Sequence, residues 1–465
     1  MKLIRQNIRL IATVLCVLLI SLVVYGAYSI STQGSRWFSS GANKYLRRTK
    51  ANVTAGNIVD RANVLLATTD NTGKRVYSSD EAVRRAMVHV VGDSANNIAY
   101  GAESFMADHL YAFNESYLER LAQGLQGKIR RGYDIRLSVD SRLSKKAYSL
   151  FPKDKSGAIV VMNYRTGELL ALQSYPSFDP MNLTQLDKDN PLKPFWNRAT
   201  KWISAPGSAF KVITLAGALQ HIPDAINKTF HCSGELVLEN TTITDANNAV
   251  HNDLNLKKAL ALSCNIAFSQ AILEMGDKNL QQTASNFGFG DYFLFSDLVV
   301  ENSVYPTTDR TEKEIAWTGP GQSRLQVTPL HMCMVAAAIA NDGIMMEPKL
   351  LLGVTNNAGV SRFDFFAREH RIALDKPTAD TIADYMREVV RTGTGTRAGV
   401  SGIPVCGKTG TAQIDGQRET NAWFVGFIDD PKYPFAVCVV VEDAGGGGSV
   451  AAPIAGELFK FMTGR

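Results

Sequence analysis

Apolar residues along this chain fall into three distinct patterns. The first is an unbroken stretch. Residues 10–35 carry no charge, and Leu10–Ile30 is almost wholly apolar, long enough for one bilayer-spanning helix of about 20 residues. The second is alternation. Ile135-Arg136-Leu137-Ser138-Val139 switches between apolar and polar at every step, the period of a half-buried strand. Short apolar runs bounded by turn residues extend this signal: Asn57–Ala67 reads as strand–turn–strand, 158–163 and 169–173 as a hairpin around Arg165-Thr166-Gly167-Glu168, and 403–407, 423–428 and 435–441 as further strands, the last two joined at Asp430-Pro431. The third pattern is helical. It covers much of 80–130, then 141–151, the segment after Ser208, Leu254–Leu262, Ile266–Met275, Pro329–Asn341 with a stop at Asp342-Gly343, and Ala451–Phe461.

Strands first, helices in the middle, strands again and a final helix predict an α+β fold, an antiparallel sheet with helices packed on both sides. At 465 residues the chain exceeds one ordinary core. The expected division is a tail at 1–9, a transmembrane helix at 10–31, a small domain at 32–152 and a larger domain at 153–465. Pro176–Pro194 is a Pro/Asn/Asp-rich loop.

Charge changes this picture at one place. Lys2, Arg5 and Arg9 precede the apolar stretch and orient the short N-terminus toward the cytoplasm, with the bulk outside. No A-x-A site follows, so the segment reads as an uncleaved anchor and not a signal peptide. The net charge of +5 is modest, and no basic block suggests nucleic acid. Of the six cysteines, Cys16 lies in the apolar stretch. The other five form no C-x-x-C pair, so neither a zinc site nor a disulfide framework is indicated. The histidines form no H-E-x-x-H, which argues against a metallohydrolase. Gly445–Gly448 lacks the G-K-[ST] of a phosphate loop and reads as a flexible connection.

Three short motifs carry the candidate chemistry. Ser208 is the only serine followed three residues later by a lysine, Lys211, and Pro206-Gly207 before it marks a helix start. Two residues three apart on a helix share nearly one face, so the lysine can take the hydroxyl proton if burial lowers its pKa. Ser263-Cys264-Asn265 sits between two helices, where Ser263 can pass a proton and Asn265 can bind a peptide. Lys408-Thr409-Gly410-Thr411 follows a strand whose edge can take up an extended substrate. Gly410 allows close backbone approach, and the N–H groups of Thr411 and Ser208 can form an oxyanion hole. Each motif alone is weak. Ser94-Ala95-Asn96 and Lys155-Ser156-Gly157 mimic two of them but precede Ser208. The ordered triple S-x-x-K, S-x-N, K-T-G is the mark of serine acyl-enzymes acting on D-Ala-D-Ala peptides and β-lactams.

With these motifs go Thr166–Ala171, Tyr175–Pro180, Thr328-Pro329-Leu330, Ala340–Gly343, Gly393-Thr394-Gly395 and Trp423–Gly426, and a segment from Gly101 to Leu110. Together they make the chain from about Gly56 onward resemble the class B penicillin-binding proteins of the short, membrane-anchored kind. The resemblance implies a pedestal domain at 32–152 and a penicillin-binding, serine β-lactamase-like transpeptidase domain at 153–465. It implies a peptidoglycan D,D-transpeptidase of the cytoplasmic membrane that takes stem peptides and is inhibited by β-lactams. It implies Ser208, Lys211 and Ser263 as catalytic residues, Asn265, Lys408, Thr409, Gly410 and Thr411 as substrate-binding ones, and no cofactor or metal. Partners in keeping with it are a SEDS-family glycosyltransferase and divisome or elongation proteins. Ala209 stands where the family often has Thr. Between the anchor and the catalytic domain there is no room for a glycosyltransferase domain. No E-x-x-L-N motif for a β-lactamase lies between Asn265 and Lys408, and the N-terminal tail is too short for the signalling domain of a β-lactam sensor. A D,D-carboxypeptidase shares the same acyl-enzyme and remains the alternative.

Overall fold

The computed structural model describes residues 2–38, 53–113, 115, 130–183, 190–238, 241–413 and 419–465. Its centre is a five-stranded antiparallel sheet in the order Val405–Ala412, Asn421–Ile428, Phe435–Val441, Gly157–Asn163, Leu169–Tyr175. Side chains alternate across it. Ala436, Cys438 and Val440 enter one hydrophobic core with Ala158, Val160 and Met162, whereas Val437, Val439 and Val441 enter another with Ile159 and Val161. Both faces are therefore covered, which is why these strands read as continuous apolar runs.

Helix Pro329–Ala340 covers the first face. It begins with Thr328 capping the His331 N–H and with Pro329 in the first turn. Every residue from Pro329 to Ile339 is buried, so it has no polar stripe. Helix Ala451–Thr463 covers the second face, packed beside Ser141–Leu150. A helical lobe with Lys211–His221, Asn265–Met275 and Asp277–Asn286 packs beside the sheet.

A six-stranded sheet occupies the other end, in the order Ser361–Asp364, Leu351–Thr355, Asp134–Leu137, Ile58–Val59, Leu65–Thr69, Arg75–Tyr77. The parts of the chain on either side of residue 152 are interleaved. Leu351–Thr355 pairs with Asp134–Leu137, so the N-terminal unit is completed by a hairpin from the C-terminal part of the chain. Helix Ser141–Leu150 packs on helix Glu81–Val91 of the N-terminal part as well as on strand Leu169–Tyr175 and the last helix, and Phe151 stacks on Tyr175 at a centroid distance of 3.7 Å. Non-local pairing has no signal in local periodicity. Arg84 adds a bidentate bond between the units, with Nε and Nη2 donating to Asp179 at 2.8 and 2.7 Å.

Helix Lys2–Phe38 runs through the uncharged stretch. Its portion Ile4–Ile30 is long and apolar enough to cross a membrane. Of the helical expectation over 80–130, Glu81–Val91 and two short turns at Ala102–Phe105 and Ala107–Leu110 are described; residues 116–129 lie outside the described residues.

Candidate active site

Ser208 lies in a 3₁₀ turn, Gly207–Phe210, that runs directly into helix Lys211–His221. Gly207 has φ +54°, and a Cβ there would stand 2.4 Å from the carbonyl oxygen of Thr411. Gly410 is equally constrained, since a Cβ on it would fall 2.7 Å from the Pro206 oxygen. Two glycines thus let strand Val405–Ala412 lie flat against the turn that carries Ser208. That strand is the edge of the central sheet.

Ser263 caps helix Leu256–Leu262 in the left-handed conformation (φ 60°, ψ 35°), and Cys264 starts the next helix. Sequence places a helix break here. The structure adds that the break turns the Ser263 and Asn265 side chains toward Lys211.

Lys211 is completely buried. Its Nζ donates to the Ser263 carbonyl oxygen at 2.5 Å and to Asn265 Oδ1 at 2.8 Å, and lies 3.3 Å from Ser263 Oγ. Burial lowers its pKa to about 8, against an upward pull from Asp245 and Cys264. Lys408 is also completely buried, and its Nζ donates to Ser263 Oγ at 2.8 Å and to the Thr409 carbonyl at 2.9 Å. Burial, and then the charge of Lys211, hold its pKa well below the usual lysine value.

Asp245, outside the three motifs, supports this centre. Its Oδ1 accepts from the backbone N–H of Asn265 at 3.0 Å and of Ala246 at 2.8 Å. Burial raises its pKa, but hydrogen bonds from Cys264, Asn265 and Ala246 and the charge of Lys211 outweigh this and hold the carboxyl below its usual value.

A cleft of about 870 Å³ opens over these groups. Ser208, Ser263, Asn265, Thr409 and Thr411 line it. Lys211 and Lys408 lie beneath its floor. All eight residues singled out by sequence are therefore in one place, with Gly410 in the strand behind the lining.

The cleft also contains residues the motifs did not name. Thr394 Oγ1 is 2.6 Å from Thr409 Oγ1, which puts the loop Thr392–Thr396 at the wall. Trp317, Gln322 and Gly448 also line the cleft, and Gln322 Nε2 donates to the Thr411 carbonyl at 3.2 Å. Gly445–Gly448, expected to be a flexible connection, is instead packed. The Gly447 N–H donates to Thr411 Oγ1 at 3.4 Å, and a Cβ on Gly447 would stand 2.2 Å from the Trp423 oxygen and 2.3 Å from that of Gly410. A glycine run signals both looseness and close approach, so composition alone could not separate them.

The family described as penicillin binding protein transpeptidase domain matches residues 157–460. The peptidoglycan D,D-transpeptidase PbpA of Mycolicibacterium smegmatis is 31% identical over 371 residues, covering 72% of this chain and 73% of that protein. The peptidoglycan D,D-transpeptidase MrdA of Acinetobacter baumannii is 31% identical over 372 residues, 71% of this chain and 54% of that one. Among solved structures, the ceftriaxone acyl-enzyme of penicillin-binding protein A from M. tuberculosis superposes with a TM-score of 0.81 at 25% identity, over 88% of this chain and 98% of that one. The D,D-transpeptidase domain from Eggerthella lenta gives 0.75 at 30% identity, over the same shares.

Proposed function

The chain belongs to the penicillin-binding protein transpeptidase family, and on that premise we propose that it cross-links peptidoglycan stem peptides through an acyl-enzyme on Ser208, the step that β-lactams block. The observation that carries this reading is the meeting of Lys211, Ser263 and Lys408 beneath the cleft that Ser208 lines.

The geometry supports the following chemistry. A neutral Lys211 amine has two N–H groups, which its two carbonyl acceptors, Ser263 and Asn265, take up. One lone pair is left for a proton. Ser208 Oγ attacks the carbonyl carbon of the penultimate D-Ala while its proton passes to Lys211. The N–H groups of Ser208 and Thr411 hold the oxyanion. When the C–N bond breaks, the proton returns by way of Ser263 to the leaving D-Ala amine. An acceptor stem amine then attacks the ester carbonyl and gives up a proton to Lys211, which returns it to Ser208 Oγ as the ester C–O bond breaks.

Asn265 and the edge strand at 408–411 bind the extended peptide, with the Thr409 and Thr411 hydroxyls toward its carboxylate. Lys408 supports the proton path: its ammonium meets Ser263 and lies under the floor, so it acts on the carboxylate at most through its field. The apolar helix at the N-terminus fits a membrane anchor. We assign the catalytic domain to the outer side, with residues 32–152 as pedestal and 153–465 as transpeptidase domain. A SEDS-family glycosyltransferase with divisome or elongation proteins would supply the glycan strands.

The deciding experiment incubates the detergent-solubilised full chain with a pentapeptide stem, with and without an amino acceptor. A cross-linked dimer formed only with acceptor supports transpeptidation. Release of D-Ala with no cross-link in either case would identify a carboxypeptidase.

A further inference from the structure

Among the described residues, three charged side chains line the cleft: Asp245, Lys313 and Glu314. Two of them are engaged. Asp245 Oδ1 accepts from the N–H groups of Asn265 and Ala246. Glu314 Oε2 accepts from the Thr311 N–H at 2.9 Å in a capping box, and its Oε1 lies 3.3 Å from Arg324 Nε. Lys313 is exposed, and among the described residues its ammonium has no hydrogen bond or ion pair.

The helix that carries Lys313 is firmly held. Glu312–Thr318 packs on helix Asn265–Met275, from which Ser269 Oγ donates to the Ala316 carbonyl at 3.0 Å. Arg310, with its side chain 3% exposed, donates through Nη1 to Asp277 Oδ1 at 2.5 Å. Its Nη2 donates to the Glu314 carbonyl at 3.4 Å and to Thr318 Oγ1. Lys313 and Trp317 are four residues apart and share one side of the helix. Both line the cleft, about 6 Å from each other along the axis.

On the proposed reading an extended donor passes this pair. Its terminal carboxylate lies at the Thr409 and Thr411 hydroxyls and its scissile carbonyl at the Thr411 N–H. The upstream residues then run on from Thr411 toward Gln413, which also lines the cleft. The helix wall stands at that end: Gln322, four residues beyond it, donates to the Thr411 carbonyl at 3.2 Å.

We infer that Lys313 and Trp317 form a specificity subsite for a carboxylate that the donor stem carries upstream of D-Ala-D-Ala. The inference rests on the transpeptidase reading and adds what the cleft selects. Methylenes of the stem lie over the Trp317 indole, and the Lys313 ammonium pairs with the carboxylate. Two stem groups have that chemistry. One is the side-chain carboxylate of a diaminopimelate in the third position, and the other is the α-carboxylate of the γ-linked glutamate before it. A lysine in the third position ends in an ammonium alone, which Lys313 repels. Arg310 is a positioning residue for this wall and touches no substrate.

The test measures D-Ala release by the full chain in detergent from four pentapeptide donors. Their third residue is diaminopimelate or lysine, and their glutamate α-carboxylate is free or amidated. The natural chain should favour the carboxylate-bearing member of at least one pair by roughly tenfold in kcat/KM, as for a hydrogen bond to a charged group. The pair that discriminates identifies which carboxylate is read. Lys313→Glu should reverse the preference, Lys313→Met should abolish it, and about 1 M salt should diminish it in the natural chain. Trp317→Leu should raise KM for all four donors; an unchanged KM takes that residue out of the subsite. Equal turnover of the four donors by the natural chain overturns the inference, and so does a preference that survives Lys313→Glu. Labelling of the natural chain by fluorescent penicillin checks the transpeptidase reading separately. Labelling without donor discrimination removes the subsite alone, whereas the absence of both labelling and D-Ala release removes the two together.

Discussion

Lys211 and Lys408 meet on a single atom. Ser263 Oγ lies 3.3 Å from one ammonium nitrogen and 2.8 Å from the other, with both lysines wholly buried. Two full charges at that spacing, out of water, repel strongly, so the pair carries less than two charges near neutral pH. On the proposed reading, burial is what makes a base of Lys211, by lowering its pKa to about 8.

Acylation should therefore rise with pH through about 8, the value to which burial lowers Lys211. The sign follows from the role: a base acts when neutral, and the neutral fraction grows above the pKa. Lys211→Arg stays protonated and should lose at least about 10²-fold in rate with no such rise. The check is the acylation rate by a fluorescent penicillin across that range. A flat profile in the natural chain would put the proton elsewhere.

Ser208→Ala should remove all covalent labelling by fluorescent penicillin while the thermal midpoint changes little, because the side chain is only half-buried in a short turn. Labelling that persists in the folded variant would assign the nucleophile to another residue.

The candidate site residues were legible in sequence because each motif is a short run whose order is constrained. Their meeting was not. Ser263 faces Lys211 because it adopts φ +60° between two helices, a conformation that no apolar periodicity encodes. The central strands were legible because burial on both faces makes them continuously apolar. The hairpin Leu351–Thr355 with Ser361–Asp364 was invisible, since its partner Asp134–Leu137 lies more than two hundred residues earlier. Asp245 escaped notice for the same reason: it acts on the Asn265 backbone across 20 residues, outside any motif.

Two neighbouring glycines should respond oppositely to alanine. At Gly446 a Cβ meets only Ser449 Oγ at 3.4 Å, an ordinary contact, whereas at Gly447 it would press on two backbone oxygens within 2.3 Å. Gly447→Ala must displace the strand carrying Gly410 and Thr411, and a shift of about 1 Å there should cost on the order of 10²-fold in acylation. Gly446→Ala should acylate normally. Equal rates for the two variants would show that the loop is not packed against the strand.

Buried His331 should make the fold sensitive to acid. Its Nδ1 is 2.6 Å from Ser303 Oγ and its Nε2 2.7 Å from the Phe287 oxygen, and burial lowers its pKa from 6.5 to about 4. The folded state binds the proton less readily than the unfolded one. Its stabilising contribution is thus complete above pH 6.5 and is lost as pH falls toward about 4, by at most roughly 3 kcal/mol. Thermal midpoints against pH should fall less steeply below pH 6.5 in His331→Gln than in the natural chain. Parallel curves would remove His331 from the acid response.

Thr411 and Lys408 should separate by substrate. Thr411 is exposed at the cleft and its Oγ1 already accepts from the Gly447 N–H, which leaves its own O–H to donate outward. Thr411→Val keeps the backbone N–H for the oxyanion and removes only that hydroxyl. It should weaken acylation by donors carrying a free carboxylate by roughly 1.5–3 kcal/mol, the worth of a hydrogen bond to a charged group, and barely affect donors without one. Lys408 sits beneath the floor on Ser263 Oγ, so Lys408→Ala should impair both donors alike by loosening Ser263 in the proton path. The measurement is the acylation rate of each variant with a carboxylate-bearing and a carboxylate-free acyl donor. Equal losses for Thr411→Val on both donors would mean that its hydroxyl does not read the carboxylate, and a carboxylate-selective loss for Lys408→Ala would move that task to the lysine.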